Sequence, residues 1–292
     1  MIRSATVSPI PLAVDDVHGV PGISQVGDAG IVSSLGTLSP APAVTRSAAL
    51  LDELAKPDAG SLGLSDLARR LGLPKSSIAN LCNALEEAGL VRRVDGRFSL
   101  GHKLVELASA YLSKVDLLRE FHERAQLLPT ASQETLLFAV LEDLDVLYLA
   151  RHDGTQPIRL ASDVGRRMPA TCTALGKAML ASLPSDVIDE RLRALGPLPK
   201  LTAKSSASGE EVLAEVKRVR ARGYAIDDEE NTEGIMCFSV ALPWAGASHS
   251  PRAVSVTLLK ARVTKSLSEN LIADLHDLVA SMPKRLDLNI AS

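Results

Sequence analysis

The sequence predicts an α+β protein: a winged helix-turn-helix near the N-terminal end, a linker helix, and a larger mixed unit of strands and helices. Three observations carry this. Two short helix patterns are joined by Gly72-Leu73-Pro74 and followed by a hairpin signal from Leu90 to Leu100 that turns at Asp95-Gly96. Leu104, Tyr111 and Leu118 then recur at seven-residue spacing, with Leu107, Ala108 and Val115 between them, as on a helix that packs along a partner helix. From Glu134 onward, strand and helix patterns mix without regular strand–helix–strand alternation, which argues against a doubly wound sheet.

Residues 1–43 are rich in Pro, Gly, Ser and Ala with almost no charge, a composition that buries little and reads as a disordered extension. Residues 44–101 hold the winged helix-turn-helix. Its first helix is expected from Thr45 or Arg46 to Lys56, ended by Pro57-Asp58-Ala59-Gly60. Ser65 stands where an N-cap belongs, and Gly72 stops the second helix. Pro74 precedes a third helix, Lys75 to Ala88, which Gly89 closes. Residues 102–126 read as one linker helix used in dimerisation, residues 127–284 as the C-terminal domain, and residues 285–292 as a tail. In the C-terminal domain a strand pair is expected over Glu134–Leu141 and Asp145–Ala150, with further strands over Pro157–Ala161, Cys237–Leu242 and Arg252–Leu259. Helices are expected over Thr173–Ser182, Asp186–Leu195, Glu210–Arg222 and Leu267–Met282.

Bulk numbers narrow the function. A chain of 292 residues suits about two domains. With a net charge of -3, no global positive field draws it to nucleic acid, so any such affinity must be local. Arg69, Arg70, Lys75, Arg92, Arg93 and Arg97 supply a modest local patch. Cys82, Cys172 and Cys237 are scattered and odd in number, which speaks against a disulfide framework or a zinc site. Nothing reads as a membrane span or a secretory leader, so a cytoplasmic protein without membrane attachment, metal or cofactor is expected.

The third helix carries the first candidate chemistry. Ile78, Leu81, Cys82 and Leu85 share one face and should pack inward. The opposite face presents Ser76, Asn80, Asn83 and Glu87, with Lys75 and Ser77 near the N-terminus. Short polar side chains and amides suit a recognition helix in a major groove, and a helix N-terminus with a lysine suits a phosphate. Arg92, Arg93 and Arg97 on the wing would contact backbone or minor groove. A solvated helix face would look similar; the turn and wing together tip the reading toward double-stranded DNA.

Here the chain resembles the IclR family of bacterial transcription regulators. The resemblance runs through the stretch from Leu64 to Ser77, Glu86 to Arg93, Val164 to Pro169, Thr173 to Ala178, Arg222 to Glu230, and Gly234 to Cys237. It covers about Val44 to Met282 in colinear order. It implies a winged helix-turn-helix, a dimerising linker helix, and a GAF-like effector-binding domain that takes small organic acids or aromatic compounds. The positions matching the family's pocket are Ala174, Leu175, Asp227, Ile235, Cys237, Ser255 and Thr257. Thr171 stands where the family often has a histidine, so no imidazole meets a ligand anion there and a less acidic or uncharged effector becomes credible. Each position also has a plainer reading: Cys237 as a small buried hydrophobe, and Asp227 to Glu230 as a solvated acidic turn.

Two other classes are open to such a sequence. The chain has no GxSxG, GxGxxG, Walker A or HExxH motif; a hydrolase using Cys237 with His249 is the enzyme alternative, and a winged-helix adaptor the other. The reading adopted is no enzyme: a homodimer, or dimer of dimers, that represses or activates transcription, reads a palindromic operator and responds to a small effector. Effector binding is expected to act through the linker helix on the spacing of the DNA-binding domains.

Overall fold

The computed structural model describes residues 39–56, 59–112, 116–155, 163–243, 246 and 250–282. The chain divides into two compact units, one running to Leu104 and the other from Val105. The expected strand over Pro157–Ala161 lies outside the described residues, as does His249.

The first unit is three helices and a small sheet. α1 spans Pro42–Ala55, starting earlier than the sequence reading because Pro42 suits a first helical turn, where its missing N–H has no partner to lose. A short strand β1, Leu62–Gly63, precedes α2, Leu64–Leu71. Ser65 lies inside α2 rather than capping it; Gly63 occupies the N-cap and no side chain bonds there. Gly72 ends α2 at φ 63°, with its N–H and that of Leu73 turned back onto the Arg69 and Ala68 carbonyls. α3 follows at once, Lys75–Glu87. The hairpin β2, Val91–Val94, and β3, Arg97–Leu100, turns on Asp95 and Gly96 at φ 51° and 73°, the left-handed pair that a two-residue turn of matching twist requires. β1 adds to β3, and Leu50, Leu67, Ile78, Cys82, Val91 and Phe98 close the core.

Two helical stretches are described in the linker, and residues 113–115 between them lie outside the described residues. α4 spans Lys103–Leu112 and α5 spans Asp116–Ala125. α4 buries no residue, whereas α5 buries Leu117, Leu118, Phe121 and Ala125. Leu118, third of the seven-spaced residues, therefore packs inside its own unit and not along a partner helix.

The second unit is built on a six-stranded antiparallel sheet ordered β6-β5-β4-β9-β8-β7. Its strands are β4 Thr135–Glu142, β5 Asp145–His152, β6 Arg167–Pro169, β7 Ala225–Asp228, β8 Ile235–Ala241 and β9 Arg252–Leu259. Side chains alternate between faces along each strand. Leu136, Phe138, Phe238, Val254 and Val256 face α5 and the terminal helix α9, Lys265–Ser281. Leu137, Ala139, Leu141 and Ala253 face the other side. There α6 Ala174–Ala181, α7 Ser185–Leu195 and α8 Gly209–Arg222 cover the sheet. The short strands β6 and β7 escaped the sequence reading, β7 because its Asp227-Asp228 pair resembles a turn.

Candidate functional site

A recess opens where the start of α6 meets the sheet. Seven of the eight residues singled out in the sequence line it: Ala174, Leu175, Asp227, Ile235, Cys237, Ser255 and Thr257. The eighth, Thr171, does not. It is buried in the 3-10 turn Ala170–Cys172, its hydroxyl 3.7 Å from the Cys172 sulfur. The sequence reading missed Leu137, Tyr148, Met168, Thr173, Asn231 and Thr232, which complete the wall. The recess is small, with about 40 Å³ open to the centre of a water-sized sphere.

Strand register explains the polar floor. Thr135, Thr257, Cys237 and Asp227 stand directly opposite one another across β4, β9, β8 and β7. Directly opposed residues share a face, so one polar rung crosses four strands, with the opposed pair Ser239 and Ser255 next to it on β8 and β9. The Thr257 hydroxyl donates to the Cys237 sulfur at 3.3 Å, and the Cys237 thiol in turn bonds Asp227. Asp227 is buried, its Oδ1 accepting the backbone N–H groups of Glu230 and Asn231 at 2.8 and 3.3 Å. Burial pushes its carboxyl up to about 7, against the pull of Lys177 and of the N–H bonds. The plain reading of Asp227 as a solvated turn residue is thus overturned by its place in an edge strand that α6 covers. Asp228 and Glu229 are half-buried, and Lys204 and Lys260 take them up.

The start of α6 supplies the opposite chemistry. Thr173 caps the helix, its hydroxyl accepting from Gly176 N–H at 3.0 Å and donating to the Pro169 carbonyl. That leaves the N–H groups of Ala174 and Leu175, both in the cavity wall, without an acceptor inside the helix. A Cβ on Gly176 would lie 2.2 Å from the Ala170 carbonyl oxygen, so only glycine lets the first turn sit this close to the 3-10 turn below it. Burial and the Asp227 charge push the Cys237 thiol well up, the reverse of what a reactive cysteine needs.

On α3 of the first unit, Lys75, Ser76, Asn80 and Asn83 are exposed along one edge and Ser77 is half-buried. Arg92, Arg93 and Arg97 are exposed on the wing, and each is braced. Arg92 donates to Ser99, Arg97 donates to Ser61, and Arg93 pairs with Glu86 at 2.7 Å while lying over the Phe98 ring. Such bracing holds the guanidinium groups out from the hairpin at little entropic cost on binding.

Comparison with known proteins agrees across both units. Residues 43–95 match the model of the IclR helix-turn-helix domain, and residues 109–283 match that of the bacterial transcriptional regulator IclR C-terminal domain. The chain is 30% identical over 181 residues to the HTH-type transcriptional regulator KdgR of Dickeya chrysanthemi; the match spans 61% of this chain and 59% of that protein. It is 30% identical to the probable transcriptional regulator SauR of Cupriavidus necator, over 80% of this chain and 92% of that one. The fold matches the crystal structure of an IclR transcriptional regulator from Alicyclobacillus acidocaldarius with a TM-score of 0.72 at 23% identity, covering 82% of this chain and 96% of the other. With both of its units matched in order, the chain belongs to the IclR family of bacterial transcriptional regulators.

Proposed function

We propose that the protein is a ligand-responsive, sequence-specific DNA-binding regulator that represses or activates transcription as a homodimer or dimer of dimers. α3 and the wing read an operator half-site; the recess at the start of α6 takes a small organic effector. The observation that carries this is the cavity. Residues far apart in sequence meet there, with helix-start N–H groups that have no acceptor inside the helix on one side and a buried carboxylate on the other. A packed structural core gains nothing from such an arrangement, since unmatched buried polar groups destabilise it. A cytoplasmic location follows from the DNA partner, and among the described residues no helix is long and apolar enough to cross a membrane.

The test is a separation of functions. Duplexes selected from a random pool by the full chain should bind with an affinity that falls as salt rises. Replacing Lys75 and Asn80 together with Ala should weaken that binding by about tenfold to a hundredfold, since a lost base contact costs roughly 1–3 kcal/mol. Ligand-induced thermal stabilisation should persist in the same variant. Unchanged DNA affinity in the double variant sinks the recognition-helix assignment.

A further inference from the structure

Glu86 is at odds with its local setting. It stands in the last turn of α3 beside Glu87, with no basic residue in that turn, where the helix dipole disfavours a carboxylate. A residue that breaks a local rule is usually fixed by something beyond its own element. Here that is Arg93 of β2, whose guanidinium meets the Glu86 carboxylate at 2.7 Å. The two elements are joined by Ala88-Gly89-Leu90, and backbone bonds secure the base of the wing: Leu90 N–H to the Leu85 carbonyl and Gly101 N–H to the Leu90 carbonyl. Farther out, Arg93 ties β2 to α3, as Arg97 ties β3 to Ser61.

Strand register sets Arg93 apart from the other two wing arginines. Arg93 stands opposite Phe98, and Val91 opposite Leu100. Val91 and Phe98 are buried in the core of the first unit, so these residues form the inner face of the hairpin. Arg92 opposite Ser99 and Val94 opposite Arg97 form the outer face, with Val94 exposed. The Arg93 guanidinium lies over the Phe98 ring, 5.6 Å from its centroid. It and Glu86 are close enough to the buried Cys82 of α3 for both charges to act on that thiol. Carboxylate, guanidinium and ring thus make one contact between the end of α3 and the wing.

We propose that Arg93 is a positioning residue that does not itself touch DNA: paired with Glu86 and laid over Phe98, it sets the angle of the wing to α3, so that both meet one half-site together. The inference rests on the DNA-binding reading of this unit and takes Arg93 out of the residues expected to contact the duplex. Arg92 and Arg97, on the outer face, remain contacts. The Glu86 charge offsets that of Arg93, so the pair neutralises little of a nearby phosphate. Arginine suits the task because its planar fork pairs with a carboxylate while its face covers a ring. A wing held at its working angle before binding loses less freedom on the duplex, and a wing at another angle misplaces its outer face.

The experiment measures the affinity of the full-length protein for a duplex that it selects from a random pool, divided by its affinity for a scrambled duplex of equal length at the same salt. That ratio cancels generic changes in charge. Glu86→Gln and Arg93→Gln are each expected to lower it about threefold to tenfold, and the two together by no more than either alone. Exchanging the partners, Glu86→Arg with Arg93→Glu, should recover most of the lost ratio although it places an acid where a DNA contact would need a base. The slope of log affinity against log salt should hold in Arg93→Gln and fall by about one per protomer in Arg92→Gln. Losses that add in the double Gln variant, or a slope that falls as far in Arg93→Gln as in Arg92→Gln, make Arg93 a DNA contact and overturn the proposal. So does an unchanged ratio in both single variants. The Gln variants keep side-chain size, so this cycle decides the matter even where the exchanged pair folds poorly. If the chain selects no duplex, the DNA-binding reading fails and the proposal falls with it; if it selects one and the cycle is additive, only the proposal falls.

Discussion

At the scale of single residues, Asp227 carries the clearest pH signature. Its folded-state value is raised from 3.8 to about 7, so the unfolded chain gives up this proton first as pH rises. Stability from this group is therefore greatest below about pH 4 and is lost between about pH 4 and about pH 7. A gap of roughly three units sets a ceiling of about 4 kcal/mol. Asn at this position keeps an oxygen for the Glu230 and Asn231 N–H groups and removes the charge. Relative to the unaltered protein, Asp227→Asn should gain about 2 kcal/mol of stability as pH rises from about 5 to about 8, read from denaturant melts. A pH-independent difference would show that Asp227 is solvated after all. Gly176 makes a second case. Ala in a helix interior is normally favoured by about 1 kcal/mol. Here its Cβ would meet the backbone of Ala170 at 2.2 Å, and backbone cannot swing aside. Gly176→Ala should cost about 2–3 kcal/mol and weaken effector binding by moving the Ala174 and Leu175 N–H groups. In sequence, Asp227 was marked only by the family resemblance, its own neighbours forming an acidic run, and Gly176 stood in an ordinary helix pattern. What decides both is the neighbour that tertiary packing brings.

At the scale of elements, legibility followed how local each signal was. The Asp95-Gly96 turn, the Gly72 stop and the Lys75–Glu87 helix are written in a few adjacent residues, and the structure has them there. The apolar residues of the linker serve two ends. Those of α5 close the core of the second unit. Those of α4 stay outside: Val105, Leu107 and Tyr111 are all more than half exposed. Leu104, Leu107, Ala108 and Tyr111 fall on one side of α4 at helical spacing. An apolar stripe left open on a short helix destabilises nothing if a second copy covers it. Leu107→Glu with Tyr111→Glu is accordingly expected to shift the protein toward monomer in sedimentation while leaving the far-ultraviolet spectrum and the cavity's ligand response intact. A dimer that survives both charges would place the interface elsewhere.

For the whole molecule, the fold class was readable because hydrophobic period changes from helix to strand at Glu134 and each face of the sheet has its own set of apolar residues. The short edge strands were not readable, since their pairing, and not their composition, makes them strands. Charge is also a property of the whole. Residues 39–104 hold nine Lys and Arg against seven Asp and Glu, in a chain whose net charge is -3. Several of the cations are committed internally, among them Arg70 to Glu53 and Arg93 to Glu86. One module can therefore neutralise few phosphates, and counterion release, the main source of non-specific affinity, is small. Operator affinity must come from two modules held together, where the second binds at the effective concentration set by the first. The full-length protein should bind a palindromic duplex at least about a hundredfold more tightly than one half-site flanked by random sequence. The slope of log affinity against log salt should be roughly double on the full site. Equal affinity for half and full sites, at one salt concentration, would mean that a single α3 and wing suffice and that dimerisation serves the effector end alone.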